Sequence, residues 1–532
     1  VNAIIPPQAD PRGDPVLLNT LFSRMQHSRA TFVVAEQGAR RTVTAQDILG
    51  NVARVLATLQ DDFNLSPRDR VGILADNGFD WIIMDLACIA GGMIVVPFDP
   101  QGVYEVDELM SFFALALLVT DQDKHLGARP DVVSIGSVCG RKSAERPFQP
   151  YRYARNDIVA VKFTSGSTQQ PKAMEAKAIN CENSMANVQR LFRHDIADRV
   201  LIFLPLYLLQ QRFWIYSAIL FDYHVILTTP TLALMLLQRE RPTVIMGVPE
   251  FFEVIKQQFM RETRRRRLLR YALPAYRRLN AISGLRLARI GFRPFLRHLG
   301  GSVRYLWTGS AACSLETLTF YRDMGVDLLQ GYGMNETCIV SKNTPGANRI
   351  GSAGRVLPNY EVVFDRDQQI LVRAACEVNT SYYRAAEASA ETFAPDGTVR
   401  TGDLGYLDGD GYLYITGRKK EMIVLTSGKK IAPQPVEALL RQSRLIENCM
   451  LVGSDHPYCT AIIHPADPTI DRSALEHEIG HTNKKLAREE RIVRFIVSSE
   501  GFTRENGMLT SQYKLRRNRI VERYADEIAA LY

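Results

Sequence analysis

Hydroxyl side chains crowd one short stretch of the chain, Thr164-Ser165-Gly166-Ser167-Thr168-Gln169-Gln170-Pro171-Lys172, directly after the apolar run 158–163. Hydroxyls and backbone N–H groups just past a strand can wrap a polyphosphate, and Lys172 adds a mobile positive charge. The stretch is not the G-x-x-x-x-G-K-[ST] loop of P-loop NTPases. Taken alone, a serine-rich surface loop would read the same. Four further segments accompany it. Gln330-Gly331-Tyr332-Gly333-Met334-Asn335-Glu336-Thr337 follows the apolar run 326–329, and Arg400-Thr401-Gly402-Asp403 precedes a Gly-Asp-Gly turn at 409–411. Gly417-Arg418-Lys419-Lys420-Glu421 comes next, and Asn506-Gly507-Met508-Leu509-Thr510-Ser511-Gln512-Tyr513-Lys514-Leu515-Arg516-Arg517 stands near the end.

The elements around these segments read as an α/β protein. Short apolar, β-branched runs at 71–75, 93–96, 158–163, 200–204, 225–227, 244–246 and 303–307 have helical periodicity between most of them. Such strands predict largely parallel sheets covered by helices on both faces, with ligands at the loops beyond the strand ends. The pattern changes after about residue 355, where 360–364 and 370–373 read as antiparallel strands. A compact α+β unit follows, with strands near 422–425, 450–452 and 461–464 and helices near 433–441 and 473–488. The boundary is expected between Gly417 and Arg418, giving an N-terminal unit 1–417 and a small C-terminal unit 418–532.

In order and spacing the five segments resemble the adenylate-forming (ANL) superfamily, which includes acyl-CoA synthetases, firefly luciferase and peptide-synthetase adenylation domains. The likeness runs from about Ser23 to the C-terminus. The stretch GRKKEMIVLTSGKKIAPQPV at 417–436, with Phe203-Leu204-Pro205-Leu206, Gln211-Arg212 and the ending 505–517, looks most like the long-chain fatty acyl-CoA synthetase branch. The resemblance implies a large domain of helix-flanked sheets with a β-barrel-like subdomain, and a small mobile C-terminal domain. It implies ATP- and Mg²⁺-dependent activation of a carboxylic acid, most readily a medium- or long-chain fatty acid, to acyl-AMP, followed by thioester formation with CoA. Thr164, Ser165, Gly166, Ser167, Thr168 and Lys172 would then hold the β- and γ-phosphates. Tyr332, between Gly331 and Gly333, would face adenine, Asp403 would accept the ribose hydroxyls, and Arg418 would lie beside ribose and phosphate. Glu336 would supply a carboxylate to Mg²⁺, Asn335 would stand near the α-phosphate, and Lys514 would bridge the attacking carboxylate and the α-phosphate. Lys420 is the implied hinge, and Ser427-Gly428-Lys429 the loop presented to the thiol. Trp214, Gly309, Ser310 and Ala311 are candidate walls of the acyl pocket.

The chain departs from the family pattern at Gln169 and Ala173, where glycine is usual, at Asn335, where threonine is usual, at Leu208, and at Ser381 of Ser381-Tyr382. Two alternatives to CoA transfer therefore stay open: delivery to a carrier-protein phosphopantetheine, and nucleotide binding without catalysis. His477-Glu478-Ile479-Gly480-His481 matches H-E-x-x-H, a zinc pattern when helical, with Glu500 downstream as a third carboxylate. Gly480 weakens such a helix by about 1 kcal/mol relative to alanine, and an exposed helix without metal is expected.

Composition narrows the setting. Hydrophobic residues are 46% and charged residues 23% of 532, which excludes a long disordered chain. The eight cysteines show no CxxC spacing, so neither a disulfide framework nor a cysteine zinc site is expected, and a cytoplasmic protein is. Residues 1–7 lack the regions of a secretory signal. The apolar stretches 81–98 and 214–237 carry Asp85, and Asp222 with His224, and read as a buried helix followed by a buried strand rather than as membrane spans. Much of the +8 net charge lies in 261–304, where arginines from Arg261 to Arg304 alternate with leucine, tyrosine and phenylalanine. That segment is either a solvated face or a contact for anionic lipid or an acidic carrier; with no binding motif around it, nucleic acid is not expected.

Overall fold

The computed structural model describes residues 13–36, 38–126, 129–141, 146–164, 172–266, 268, 271–276, 292–375, 380–510 and 514–532. Two large sheets form the first part. One has nine strands, in the order Arg355–Val356, Cys338–Lys342, Leu328–Met334, Tyr305–Thr308, Val244–Gly247, Arg199–Ile202, His224–Leu227, Thr31–Glu36, Ala39–Thr44. The other has six, in the order Val132–Ser134, Leu115–Thr120, Arg70–Leu74, Ile94–Pro97, Ile158–Phe163, Ala173–Lys177. Their inner strands are parallel, and antiparallel partners stand at both ends of the nine-stranded sheet and at the Ala173–Lys177 end of the other.

Alternate residues of these strands feed different cores, which explains the continuous apolar runs. Val200 and Ile202 join a core shared with Val71, Ile73 and Val119 of the other sheet, whereas Leu201 and Phe203 face a second core. Helices Phe79–Gly91, Ala178–Phe192 and Leu209–Phe221 fill the shared core. Phe79–Gly91 buries every residue except Asp80, so the apolar stretch at 81–98 is an interior helix and strand as expected. Asp85 within it is held by Arg212 at 2.8 Å and by the Tyr216 hydroxyl, so Arg212 of the Gln211-Arg212 pair locks two helices together. No described helix is long and apolar enough to cross a membrane.

Beyond the large sheets, Tyr360–Phe364, Gln369–Ala374, Val399–Leu407 and Leu413–Arg418 form an antiparallel sheet of four strands. After Arg418 comes a hairpin, Ile423–Val424 with Lys430–Ile431, then a three-stranded sheet of Ile446–Val452, Cys459–Pro465 and Ile492–Val497 under helices Pro433–Leu440 and Arg472–Asn483. The latter helix is shorter than the periodicity predicts. Asp471 caps its start by accepting from the Ala474 N–H at 2.7 Å. At its end the Asn483 side chain pairs with both backbone groups of Ile492, at 2.9 Å each, and draws the chain into the next strand.

Candidate active site

The Gly-Tyr-Gly motif is not a loop after a strand. The strand predicted at 326–329 runs as Leu328–Met334 and carries the motif itself, paired with Cys338–Lys342 across a bulge at Tyr332 and Gly333. Gly333 is required there, because a Cβ would stand 2.1 Å from the Cys338 carbonyl oxygen. The bulge turns Tyr332 toward the four-stranded sheet, where its hydroxyl donates to Asp403 Oδ2 at 2.8 Å. Burial, with the Asp403 carboxylate beside it, pushes the Tyr332 phenol well above its ordinary pKa. Arg418 Nε takes the other oxygen, Asp403 Oδ1, at 2.9 Å. Asp403 and Arg418 lie opposite each other in one antiparallel ladder, so backbone pairing fixes this contact. Each carboxylate oxygen still has a lone pair for a sugar hydroxyl.

Glu336 follows the same strand and is buried, accepting a hydrogen bond from the Tyr382 hydroxyl at 2.6 Å. Lys172 Nζ stands 4.9 Å from the centroid of the Tyr382 ring. Tyr382 therefore links the carboxylate to the end of the hydroxyl-rich loop. Of that loop, Ser165, Gly166, Ser167 and Thr168 lie outside the described residues. Its ends are joined, the Thr164 N–H donating to the Lys172 carbonyl at 2.8 Å and the Lys172 N–H to Thr164 Oγ1 at 3.1 Å. Asn335 Nδ2 donates to the Phe163 carbonyl at 2.6 Å, and buried Lys162 donates to the Asn335 carbonyl. The amide thus clasps the Gly-Tyr-Gly strand to the strand that leads into the loop. No cluster of three or more His, Cys, Asp or Glu stands ready for a metal among the described residues. A single buried carboxylate fits Mg²⁺, which is commonly held by one or two carboxylates together with substrate phosphates.

Lys514 sits in a tight turn, its N–H donating to Thr510 Oγ1 at 3.1 Å and its carbonyl accepting from the Thr510 N–H at 2.8 Å. Arg517 anchors the turn with two bonds to Glu437, at 2.6 and 2.8 Å. Burial and then the Arg418 charge push the Lys514 amine down to about 8, with Asp403 and Glu421 opposing. The lysine therefore shares an electrostatic environment with the Asp403–Arg418 pair. Lys420 lies in a single turn, Lys419–Glu421, and is exposed, 3.5 Å from Glu391. Ser427, Gly428 and Lys429 form the exposed tip of the hairpin, closed by the Leu425 N–H donating to the Lys429 carbonyl at 2.9 Å.

A cavity of about 120 Å³ is bordered by the Gly-Tyr-Gly strand. Gly331, Tyr332 and Gly333 form one wall, and Trp214, Gly309 and Ser310 border it. Ala311 does not border it: the chain turns at Ser310, whose φ is 67°, and leaves Ala311 exposed. Met185, Met246 and Trp307 supply apolar surface, and Gln211 and Lys342 polar groups.

A family model described as AMP-binding enzyme matches residues 23–373, and one described as AMP-binding enzyme C-terminal domain matches residues 420–532. The chain belongs to the AMP-binding enzymes. It is an enzyme of the adenylate-forming superfamily. The chain is similar to a Mycobacterium bovis protein named long-chain-fatty-acid–CoA ligase FadD15, 27% identical, with 87% of this chain and 88% of that protein covered. In fold it is similar to o-succinylbenzoate CoA synthetase of Bacillus subtilis in complex with its acyl-adenylate intermediate, with a TM-score of 0.75, 20% identity, and coverage of 94% and 97% of the two chains. A similar match is ATP-bound MatB from Rhodopseudomonas palustris, with a TM-score of 0.75, 21% identity, and coverage of 96% and 99%.

Sequence reasoning missed three residues of this AMP-binding enzyme. Tyr382 stood out only as the tyrosine of an altered Gly-Tyr pair, and nothing local connects it to Glu336. Lys162 lies inside one apolar strand and Lys342 at the end of another, and a lysine in a buried strand is the available signal. Among the described residues the H-E-x-x-H match is not part of a group of three or more His, Cys, Asp or Glu that could hold a metal. His477 and His481 are exposed on helix Arg472–Asn483, and Glu500 is paired with Arg523 at 3.1 Å.

Proposed function

We propose that this AMP-binding enzyme activates a medium- or long-chain fatty acid with ATP and transfers the acyl group to CoA. The observation that carries the reading is the shared wall. Tyr332 bonds Asp403 of the Asp403–Arg418 pair, whose charges act on Lys514, and also borders the cavity of about 120 Å³. An acid in the cavity would present its carboxylate where a nucleotide held by Tyr332 and Asp403 presents its α-phosphate. The carboxylate oxygen attacks the α-phosphorus and the bond to pyrophosphate breaks, leaving acyl-AMP. Lys514 stabilises the charge that builds on both groups in that transition state, and positioning supplies much of the rest. Mg²⁺, held by Glu336 and the phosphates, would neutralise the departing pyrophosphate. In the second step the thiol sulfur attacks the acyl carbonyl, AMP leaves, and the thiol proton passes to solvent.

The chain beyond Lys420 would turn about that residue between the steps, withdrawing Lys514 and bringing the loop at Ser427, Gly428 and Lys429 to the thiol. The name of the Mycobacterium bovis relative supports a fatty acid and CoA. Purified protein should show acid-dependent ATP–pyrophosphate exchange, and CoA should accelerate AMP release more than a phosphopantetheinylated carrier protein does. Faster release with the carrier would overturn CoA as acceptor, and nucleotide binding without exchange would overturn catalysis.

The arginine-rich segment supports a membrane-surface contact. Arg261, Arg264, Arg265 and Arg266 are exposed at the end of helix Pro249–Arg265, next to Leu268 at 87% and Tyr271 at 68% exposure. Basic and apolar groups side by side suit an anionic bilayer. The protein should sediment with phosphatidylserine-containing vesicles and not with neutral ones, and equal partition would remove this assignment.

A further inference from the structure

We infer that Lys342 is a specificity-determining residue of the acyl cavity, favouring acids whose chain carries a hydrogen-bond-accepting oxygen, an anionic one above all, over plain hydrocarbon acids. The inference rests on reading this cavity as the acyl site. Lys342 ends the strand paired with the Gly-Tyr-Gly strand and is 3% exposed, yet it borders the cavity. Its Nζ donates to the Leu329 carbonyl at 2.9 Å and lies 3.6 Å from the Trp307 ring centroid. Its alkyl stem is pressed against the motif, since a Cβ on Gly331 would meet Lys342 Cδ at 2.5 Å.

An ammonium group has three donors, and one carbonyl takes one of them. Burial pushes the amine well below its ordinary value, and among the described residues no acidic group offsets that burial. Gln211, buried on another part of the wall, has its Oε1 without a hydrogen-bond partner among the described residues. Ser184 and Ser217 also border the cavity. Beside a purely aliphatic chain these groups stay desolvated and underused. A site built around buried polar groups rejects the ligand that leaves them unpaired. A hydroxyl, oxo or second carboxylate on the chain would accept from Lys342 and be donated to, or bridged, by its neighbours. A carboxylate would also favour the cationic form of the amine and make the bond charge-assisted.

The test uses the full-length protein with octanoic, decanoic and dodecanoic acids, each beside its ω-hydroxy and ω-carboxy counterpart. Binding is read without ATP from tryptophan fluorescence, since Trp214 and Trp307 border the cavity, and activation is read by ATP–pyrophosphate exchange. At one chain length or more, the oxygenated acid should bind about ten- to a hundredfold more tightly than the plain acid. Lys342→Met should bring that ratio to within about twofold. Should Lys342→Met fail to fold, Lys342→Gln carries the same test: its neutral amide should keep the ω-hydroxy preference and lose the ω-carboxy one. No preference in the unaltered protein at any length, or a preference that survives substitution, would overturn the inference. Absence of exchange with every acid would instead overturn the catalytic reading, and the fluorescence ratios would still decide on Lys342.

Discussion

Lys514→Ala should lower acid-dependent ATP–pyrophosphate exchange by about 10²–10³-fold, the loss typical of removing one donor to developing charge in a closed site. Thioester formation from a supplied acyl-adenylate should stay within about threefold of the unaltered protein, because the proposed second orientation withdraws this lysine. Equal loss in both half-reactions would sink the division of labour between Lys514 and the 427–429 loop. The same lysine sets a pH limb. Its amine is held down at about 8, and the cation is the form needed. As pH rises through that value the cation is lost, so kcat/KM for ATP, which reports the free enzyme, should fall by about tenfold per unit beyond it. A bound triphosphate favours the cation, so the limb in kcat should lie higher. Lys514→Arg should carry the limb out of the measurable range, and a limb unmoved by that change would belong to another group.

The second large effect is expected at Glu336. Glu336→Gln keeps size and removes the charge that Mg²⁺ would use, and should lower exchange by about a hundredfold or more. Additional Mg²⁺ should recover little of it. Tyr382→Phe removes the hydroxyl that orients the carboxylate at 2.6 Å. It should cost about tenfold, as an outer partner of a metal ligand does, and appear mainly as a higher Mg²⁺ concentration for half-maximal exchange. A Glu336→Gln protein with an unchanged Mg²⁺ requirement would show that this carboxylate positions the Tyr382 side chain and holds no metal.

The sequence and the structure part company where contacts cross long distances. The strands 158–163 and 360–364 coincide with observed elements because each has an apolar run closed by turn residues. The apolar run ends at 329 because Gly331 and Gly333 read as loop residues. In the fold they are the two places where the strand needs no side chain, against Lys342 and against the Cys338 carbonyl. Motif wording named Tyr332, Asp403 and Lys514, but their meeting depends on a ladder, a bulge and the Arg517–Glu437 pair, none of which has a local signature. Gln211 was legible only as a member of a pair whose other half, Arg212, is bound to Asp85. The strand end 308–312 offers Ala311 together with Gly309 and Ser310, but the positive φ of Ser310 bends the chain and leaves Ala311 exposed.

Arg418 faces Asp403 from the last position of its strand, and Lys420 comes two residues later in the following turn. An axle placed there would leave the nucleoside clasp bolted to the stationary part of the molecule. Everything beyond could swing without loosening it. The anhydride made in the first half of the cycle would then stay seated while the machinery around it is exchanged, and a reactive compound would be spared a journey through water.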